Sequence, residues 1–362
     1  LLFDGRAILT AAHLFDERAG TATVTFQTAS GTQSYESSQI STHADYDTHS
    51  NNDLAIVWLP SAAPLDANRY SLYRESDEIG QSFTFIGYGQ TGTGSSGTDD
   101  QPRSDIVRLK ASNLFDADAG TLKNFLGSGI SWTPEPGTQL IADFDSGSGN
   151  DAHGQLINQS DLGLGYDEGL IAPGDSGGPA LVNGQIAGVA SYTASLSRGS
   201  NVPDVDSEVN SSFGEIAAWQ RVSSFQEWLD LQLREKYSDA PTTAEEVRTE
   251  VVEGDSGTNF AYFLLEFTGV RSTPDQILSV NFATRDGTAQ AGVDYIAVAS
   301  KLNLYPNENK AVIPVEIIGD TIPEQTEYFF LDVSDPVGGS FGEGISKLTA
   351  GRTIIDTDMA LA

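Results

Sequence analysis

Apolar and polar residues alternate in short bursts through most of this chain, and Gly, Asn, Asp and Ser separate the bursts. Period-two alternation in short runs is the signature of half-buried strands, because successive side chains of a strand face opposite ways. The pattern predicts strands over 22–27, 54–59, 82–87, 106–111, 179–182 and 185–191. The segment 222–236 differs. There Phe225, Trp228, Leu229 and Leu233 recur at helical spacing, with Ser223 or Ser224 placed to cap, which predicts a helix packing one apolar face. The stretch 237–246 is rich in Ser, Asp, Thr, Pro and Glu and reads as a linker. Beyond it alternation resumes, with strands expected at 262–267, 278–284, 310–318 and 328–333. The expected organisation is a mostly β unit over 1–237, a linker over 238–247 and a second all-β unit over 248–358.

Composition narrows the chemistry. A chain of 362 residues with 39% hydrophobic content suits two packed cores. A formal net charge of −32 argues against binding nucleic acid, which relies on Lys and Arg neutralising phosphates. It fits solubility, and also binding of divalent cations through carboxylate oxygens. There is no cysteine, which excludes disulfides, zinc thiolates and thiol nucleophiles. No apolar run is long enough to span a membrane. The chain opens on Leu1-Leu2-Phe3-Asp4-Gly5 without a leader pattern and close to a catalytic-type motif, so upstream residues are expected to be missing. The Gly-rich run 87–97 contains a G-x-G-x-x-G match at Gly87, Gly89 and Gly92. No helix is expected after it to meet a phosphate, so dinucleotide binding is not inferred. The run 143–151 carries carboxylates at alternate positions but lacks the rest of a calcium loop, and is expected to be a solvated loop.

Ser176 lies in Pro173-Gly174-Asp175-Ser176-Gly177-Gly178-Pro179. A serine nucleophile needs an exposed hydroxyl on a constrained turn with backbone N–H groups converging on the oxyanion, and glycines permit such a turn. It also needs a base. Of the four histidines, His13 ends Leu9-Thr10-Ala11-Ala12-His13, a small-residue approach that can hold an imidazole against packed backbone. Asp53 stands directly before the apolar run 54–57, where a carboxylate becomes buried and requires a partner. Each feature alone is also compatible with a turn, a packed residue or a loop acid.

Together these motifs resemble the trypsin/chymotrypsin family: T-A-A-H, N-D-L-A and G-D-S-G-G-P occur in the family's order. His43-Ala44-Asp45-Tyr46, Phe85-Ile86-Gly87-Tyr88-Gly89, the run 183–192, and Arg221-Val222 with Phe225 and Trp228-Leu229 extend the match over nearly all of 1–236. The resemblance implies a double β-barrel with a C-terminal helix and a serine endopeptidase acting on protein or peptide substrates. His13, Asp53 and Ser176 would be catalytic, the amides of Gly174 and Ser176 the oxyanion hole, and no cofactor would enter catalysis. Leu170 would lie at the base of the primary pocket, with Ser191, Tyr192, Thr193 and Ala217 as walls. That implies small or medium apolar side chains before the scissile bond, with Glu168 and Asp167 as the route to a basic preference if the loop is shifted. Leu14, Ala172 and Val182 stand where the family often has Cys, so packing must replace those bridges. The region 116–169 is longer than usual and its strands are not assigned.

The second unit contains Glu253, Asp286-Gly287-Thr288-Ala289, Gly292-Val293-Asp294-Tyr295, the run 320–327 and Asp356-Thr357-Asp358. Its carboxylates cluster where strands end. It resembles the Calx-β domain, an immunoglobulin-like antiparallel β-sandwich, whose D-G-T-A, G-x-D-Y, D-x-x-x-E and D-x-D stretches occur in order. The resemblance implies Ca²⁺ ligands at Glu253, Asp294, Asp320, Glu324, Glu327, Asp356 and Asp358. Thr321, Thr357 and Gly319 replace further acids, which points to one site or a weak one. Both resemblances imply a secreted or cell-surface protein. The competing reading is a catalytically idle protease fold used for binding or adhesion; the three triad positions, all present, favour the enzyme. The oligomeric state is not indicated.

Overall fold

The computed structural model describes residues 1–15, 20–99, 107–147, 151–159 and 163–358. Strand Ala7–Thr10 pairs antiparallel with Ala55–Trp58, which pairs in turn with Gln39–Thr42. A hairpin of Thr23–Thr28 and Gly31–Glu36 lies beside this sheet. A seven-stranded sheet forms the other half. Its order is Ala117–Asp118, Gln139–Asp143, Ile216–Arg221, Gln185–Ala194, Pro179–Val182, Ser82–Gly87, Leu109–Leu114. Curled half-barrel sheets of this kind are the trypsin-like fold. One core, with Leu54, Ile56, Leu72 and Val189, joins the halves under the closing helix; another, with Phe83, Phe85, Phe115 and Trp219, fills the larger sheet.

Several expected strands occur as expected, with 82–87 and 179–182 matching to the residue. The strand expected at 106–111 is shifted to Leu109–Leu114, and position 106 lies outside the described residues. The unassigned region holds two helices, Ala119–Leu126 and Ala152–Ile157, capped by Asp118 and Asp151. The closing helix begins as a 3-10 turn, Val222–Phe225, and continues as Gln226–Glu235. Neither Ser223 nor Ser224 caps it: the Ser223 hydroxyl donates to Glu78 Oε1 at 2.5 Å and the Ser224 hydroxyl to the Gly137 carbonyl at 2.8 Å. Tertiary partners outcompete the local cap there.

Beyond 247 a five-stranded sheet, ordered Glu250–Val252, Lys347–Ile355, Glu327–Val337, Leu278–Asp286, Ala299–Leu304, faces the pair Gly257–Glu266 and Lys310–Gly319. Phe263, Phe282, Tyr295, Val315, Phe329 and Leu331 fill the space between them. The stretch read as a linker is not all solvated. Tyr237 is 9% exposed and meets Phe260 and Tyr262 of the sandwich. Ion pairs reinforce the contact: Arg69 forks onto Glu316 at 2.8 and 3.0 Å, and Arg234 pairs with Glu308. Arg74 forks onto Asp230 of the closing helix, whose carboxylate also accepts from Tyr305 of the sandwich at 2.7 Å.

Candidate active site and acidic clusters

Strand register sets His13 beside Asp53. Thr10 pairs with Ala55 at the end of an antiparallel ladder, so the residues that follow Thr10 lie opposite those that precede Ala55. The chain turns at Ala12–Leu14, and Asp53 Oδ1 accepts the His13 backbone N–H at 2.8 Å. Asp53 Oδ2 lies 2.7 Å from His13 Nδ1. This fully buried aspartate therefore grips both the backbone and the ring of a histidine that is itself open to solvent. A third partner went unread as such in the sequence: Ser191, expected only as a pocket wall, donates its hydroxyl to Asp53 Oδ2 at 2.5 Å. A bulge between Ala190 and Tyr192 in the 185–194 strand places it there.

The Ser176 turn packs against this histidine turn. A Cβ at Gly177 would lie 2.1 Å from Thr10 Oγ1 and 3.0 Å from both the Ala11 nitrogen and Leu14 Cδ1, so only glycine lets the loops approach. Gly174 and Gly177 have φ of +98° and +79°, which glycine adopts without strain. The amides of Asp175, Gly177 and Gly178 donate to the carbonyls of Ala172, Ala190 and Asp175. Among the described hydrogen bonds, those of Gly174 and Ser176 have no acceptor within the protein. Asp175 accepts from Gly89 at 2.7 Å and Ala172 at 2.9 Å, and burial holds its carboxyl above the usual range. Ser176 and His13 share no hydrogen bond among the described residues; such bonds are often long before substrate binds.

Leu170 is 9% exposed and sits with Phe85 and Trp219 in the core of the larger sheet. Thr193 and Ala217 are paired neighbours, as are Tyr192 and Ala218. The Tyr192 hydroxyl donates to Gln139 and its ring meets Trp132 edge-on. Glu168 is turned away from a role as a pocket charge: it is buried and accepts the Asp145 amide at 2.6 Å and the Leu164 amide at 2.5 Å. Asp167 is exposed beside Ser82, Thr84 and Asn183.

Of the 143–151 run, expected to be solvated, 148–150 lie outside the described residues, and its first acids are buried. Asp143 and Asp145 are 2% and 4% exposed. Asp143 Oδ1 lies 3.0 Å from Nδ1 of the fully buried His153, and Asp116 Oδ2 lies 3.2 Å from it. Burial alone would lower the imidazole's pKa, but the two carboxylates outweigh it and push it up to about 10. His153 is an internal counter-ion, invisible in a linear reading because its partners come from a strand and a preceding loop.

In the sandwich, Glu253, Asp356 and Asp358 have carboxylate oxygens within 4.8 Å of one another, as do Asp294, Glu324 and Glu327. The Asp320 amide donates to Glu253 at 3.4 Å and the Glu324 amide donates to Asp356, which ties the two groups into one. Burial, the Asp294 hydrogen bond and the neighbouring charges push Glu327 up to about 7. Burial and neighbouring acids also raise Glu253, Glu324 and Asp358. Gly319, read as replacing an acid of the family, is packed tightly: a Cβ there would lie 2.5 Å from the Gly254 carbonyl oxygen. Asp286 plays a structural part, accepting from the Tyr295 hydroxyl and the Ala291 amide.

The trypsin family model matches residues 1–148 and 141–216, and the Calx-beta domain model matches 247–358. Among solved structures the chain is similar to neuropsin, a serine protease expressed in the limbic system of mouse brain, at 15% identity and a TM-score of 0.45, over 64% of this chain and 87% of that one. The chain belongs to the trypsin family of serine proteases and carries a Calx-beta domain after its closing helix.

Proposed function

We propose that this chain is an extracellular serine endopeptidase whose Calx-β unit binds calcium, with the protease unit spanning 1–237 and the accessory unit 248–358. The observation that carries the catalytic reading is the grip of buried Asp53 on both the backbone and Nδ1 of His13, beside a Ser176 turn in which the amides of Gly174 and Ser176 have no acceptor among the described residues. Ser176 attacks the scissile carbonyl and His13 takes its proton. Asp53 fixes the tautomer and stabilises the imidazolium. The amides of Gly174 and Ser176 receive the developing oxyanion, His13 protonates the leaving amine, and water repeats the sequence on the acyl-enzyme. Ser191 positions Asp53 by donating to it. A fluorophosphonate probe should label the mature, folded protein at Ser176 and should fail on Ser176→Ala. A folded parent that resists the probe and cleaves no peptide would overturn the reading and favour a binding role.

The sandwich cluster fits Ca²⁺. Its donors are all carboxylate oxygens, which suit a hard cation taking about six to eight oxygen ligands. Calcium would neutralise the mutual repulsion and tie the strand ends together. Glu253, Asp356 and Asp358 would form one part of the site, Asp294, Glu324 and Glu327 another, with Asp320 between. Among the described residues no helix is long and apolar enough to cross a membrane.

A further inference from the structure

Several buried carboxylates of the protease unit have a cationic partner. Glu78 is held by Arg221, Asp230 by Arg74 and Asp53 by His13. Glu215 and Asp204, at 0% and 6% exposure, take part in none of the described ion pairs. Both lie in the connection 195–215 between two central strands of the larger sheet, at the two ends of its second half, 204–215. Ser212 Oγ lies 3.2 Å from Asp204 Oδ1 and 3.5 Å from Glu215 Oε1, so the two carboxylates converge on one hydroxyl. Glu215 Oε1 also accepts the amides of Asn210 at 2.8 Å and Ser212 at 2.9 Å. Among the described residues, the other oxygens, Glu215 Oε2 and Asp204 Oδ2, are buried without a hydrogen-bond partner, and so is Asn210 Oδ1. An ionised oxygen buried without a donor or cation is among the costliest arrangements in a protein interior. Three acceptor oxygens in one short loop mark a place for a positive charge the side chains do not supply.

The sequence of the loop points to which charge. Asp204, Asp206, Glu208, Asn210, Ser212 and Glu215 occupy the spacing of the first, third, fifth, seventh, ninth and twelfth ligand positions of a helix-flanked calcium loop. Here strands flank the loop and Val209 stands where that motif has glycine, so only the oxygen spacing is shared. The hairpin of Gly92–Thr93 and Gly97–Thr98 backs it. Thr98 N donates to the Asn210 carbonyl at 2.7 Å, and a Cβ at Gly97 would collide with the Asn210 side chain at 2.1 Å. The Gly-rich run noted in the sequence is therefore the support of this loop.

We propose that the 204–215 loop is a second, independent Ca²⁺ site within the protease unit. Asp204 and Glu215 are its inner ligands with Asn210 Oδ1, and Asp206 and Glu208 close it from the solvent side. It is positioned to steady the region under the substrate pocket, because Ser211 Oγ donates to the Ile171 carbonyl at 2.8 Å, next to Leu170, and Glu215 leads directly into the strand carrying Ala217. The proposal stands without the peptidase reading.

The test counts Ca²⁺ bound to the full chain by equilibrium dialysis with radiolabelled calcium. The parent is compared with Glu215→Gln, with Asp294→Ala in the sandwich, and with the double variant. Glu215→Gln should lose one equivalent, and that loss should persist in the Asp294→Ala background. In chelator Glu215→Gln should melt no lower than the parent, since the amide relieves repulsion from Asp204; in millimolar Ca²⁺ the parent should melt higher. Equal calcium stoichiometry in the parent and Glu215→Gln would overturn the proposal, as would a variant that melts lower by the same margin with and without calcium. If Glu215→Gln does not fold, Asp206→Asn with Glu208→Gln serves instead, because both side chains are exposed. That pair should weaken one site by about tenfold or more, in line with ligand charge tuning affinity, and unaltered binding would equally overturn the proposal.

Discussion

Ser191 Oγ donates to Asp53 Oδ2 at 2.5 Å across 138 positions of sequence, on the same carboxylate oxygen that faces His13 Nδ1. The hydroxyl both orients the carboxylate and draws part of its charge away from the imidazole. Hydrogen bonds to charged groups contribute about 1.5–3 kcal/mol, so Ser191→Ala should lower kcat by roughly tenfold or more. The loss should fall on kcat with KM little changed, because the hydroxyl touches Asp53 and acts on the reaction only through it. Ser191→Thr should recover most of the rate. An unchanged kcat in Ser191→Ala, or a loss that falls on KM alone, would show that the serine is only a packed wall.

If Leu170 forms the base of the primary pocket, as the family resemblance implies, cleavage is expected after uncharged, small to medium side chains. Glu168 is already engaged by two backbone amides, which removes the nearest alternative charge. Cut sites read from a digested peptide library decide the point. One methylene is worth about 1–3 kcal/mol of discrimination, so the expected pattern is a graded preference. Dominant cleavage after Lys or Arg would overturn it and implicate Asp167.

At the proposed calcium site, Glu327 would connect cation binding to pH. Its folded-state pKa of about 7 stands above the ordinary 4.5, so its protonation stabilises the calcium-free fold below pH 4.5, and that contribution is lost as pH rises through 7. Calcium requires the ionised form. In chelator the parent should therefore lose melting temperature relative to Glu327→Gln between pH 5 and 8, and the gain from millimolar Ca²⁺ should grow over the same interval. A ligand at 100 times its Kd stabilises by about 2.7 kcal/mol. Mg²⁺ should help less, since it demands tighter octahedral geometry. A parent-minus-variant difference that ignores both pH and calcium would refute the cluster's role.

His153 predicts an alkaline weakness. Its pKa is raised from 6.5 to about 10, so its contribution is complete below pH 6.5 and disappears as pH climbs through 10. His153→Leu leaves Asp116 and Asp143 without their buried cation, and breaking such a group costs about 3–5 kcal/mol. Denaturant melts of parent and variant should differ most near pH 6 and converge toward pH 10. A constant gap would mean that His153 acts by packing alone.

The interface between protease and sandwich predicts coupled unfolding. Arg74→Ala strands the 5%-exposed Asp230 between the closing helix and Tyr305, and should cost about 3–5 kcal/mol. Calorimetry of the parent should show one merged transition. Two transitions, with only the first shifted by Arg74→Ala, would show that the sandwich folds apart.

Much of this protein could be read along the chain, for a physical reason. Strands such as Ser82–Gly87 and Pro179–Val182 carry their pattern in a few consecutive residues, and the turns at His13, Asp53 and Ser176 need particular residue types locally. The alternation, the glycines at φ +98° and +79° and the order of motifs are local constraints, so they survive in one dimension. What the tertiary structure alone decided are the partners of polar atoms. Ser223 and Ser224 leave the helix cap for Glu78 and Gly137, Asp143 is buried against His153 instead of being solvated, Ser191 becomes the third hold on Asp53, and Glu215 is buried opposite Asp204. A hydroxyl or carboxylate accepts any donor that the fold brings within about 3 Å, and which donor arrives depends on strand register and loop packing over tens to hundreds of residues.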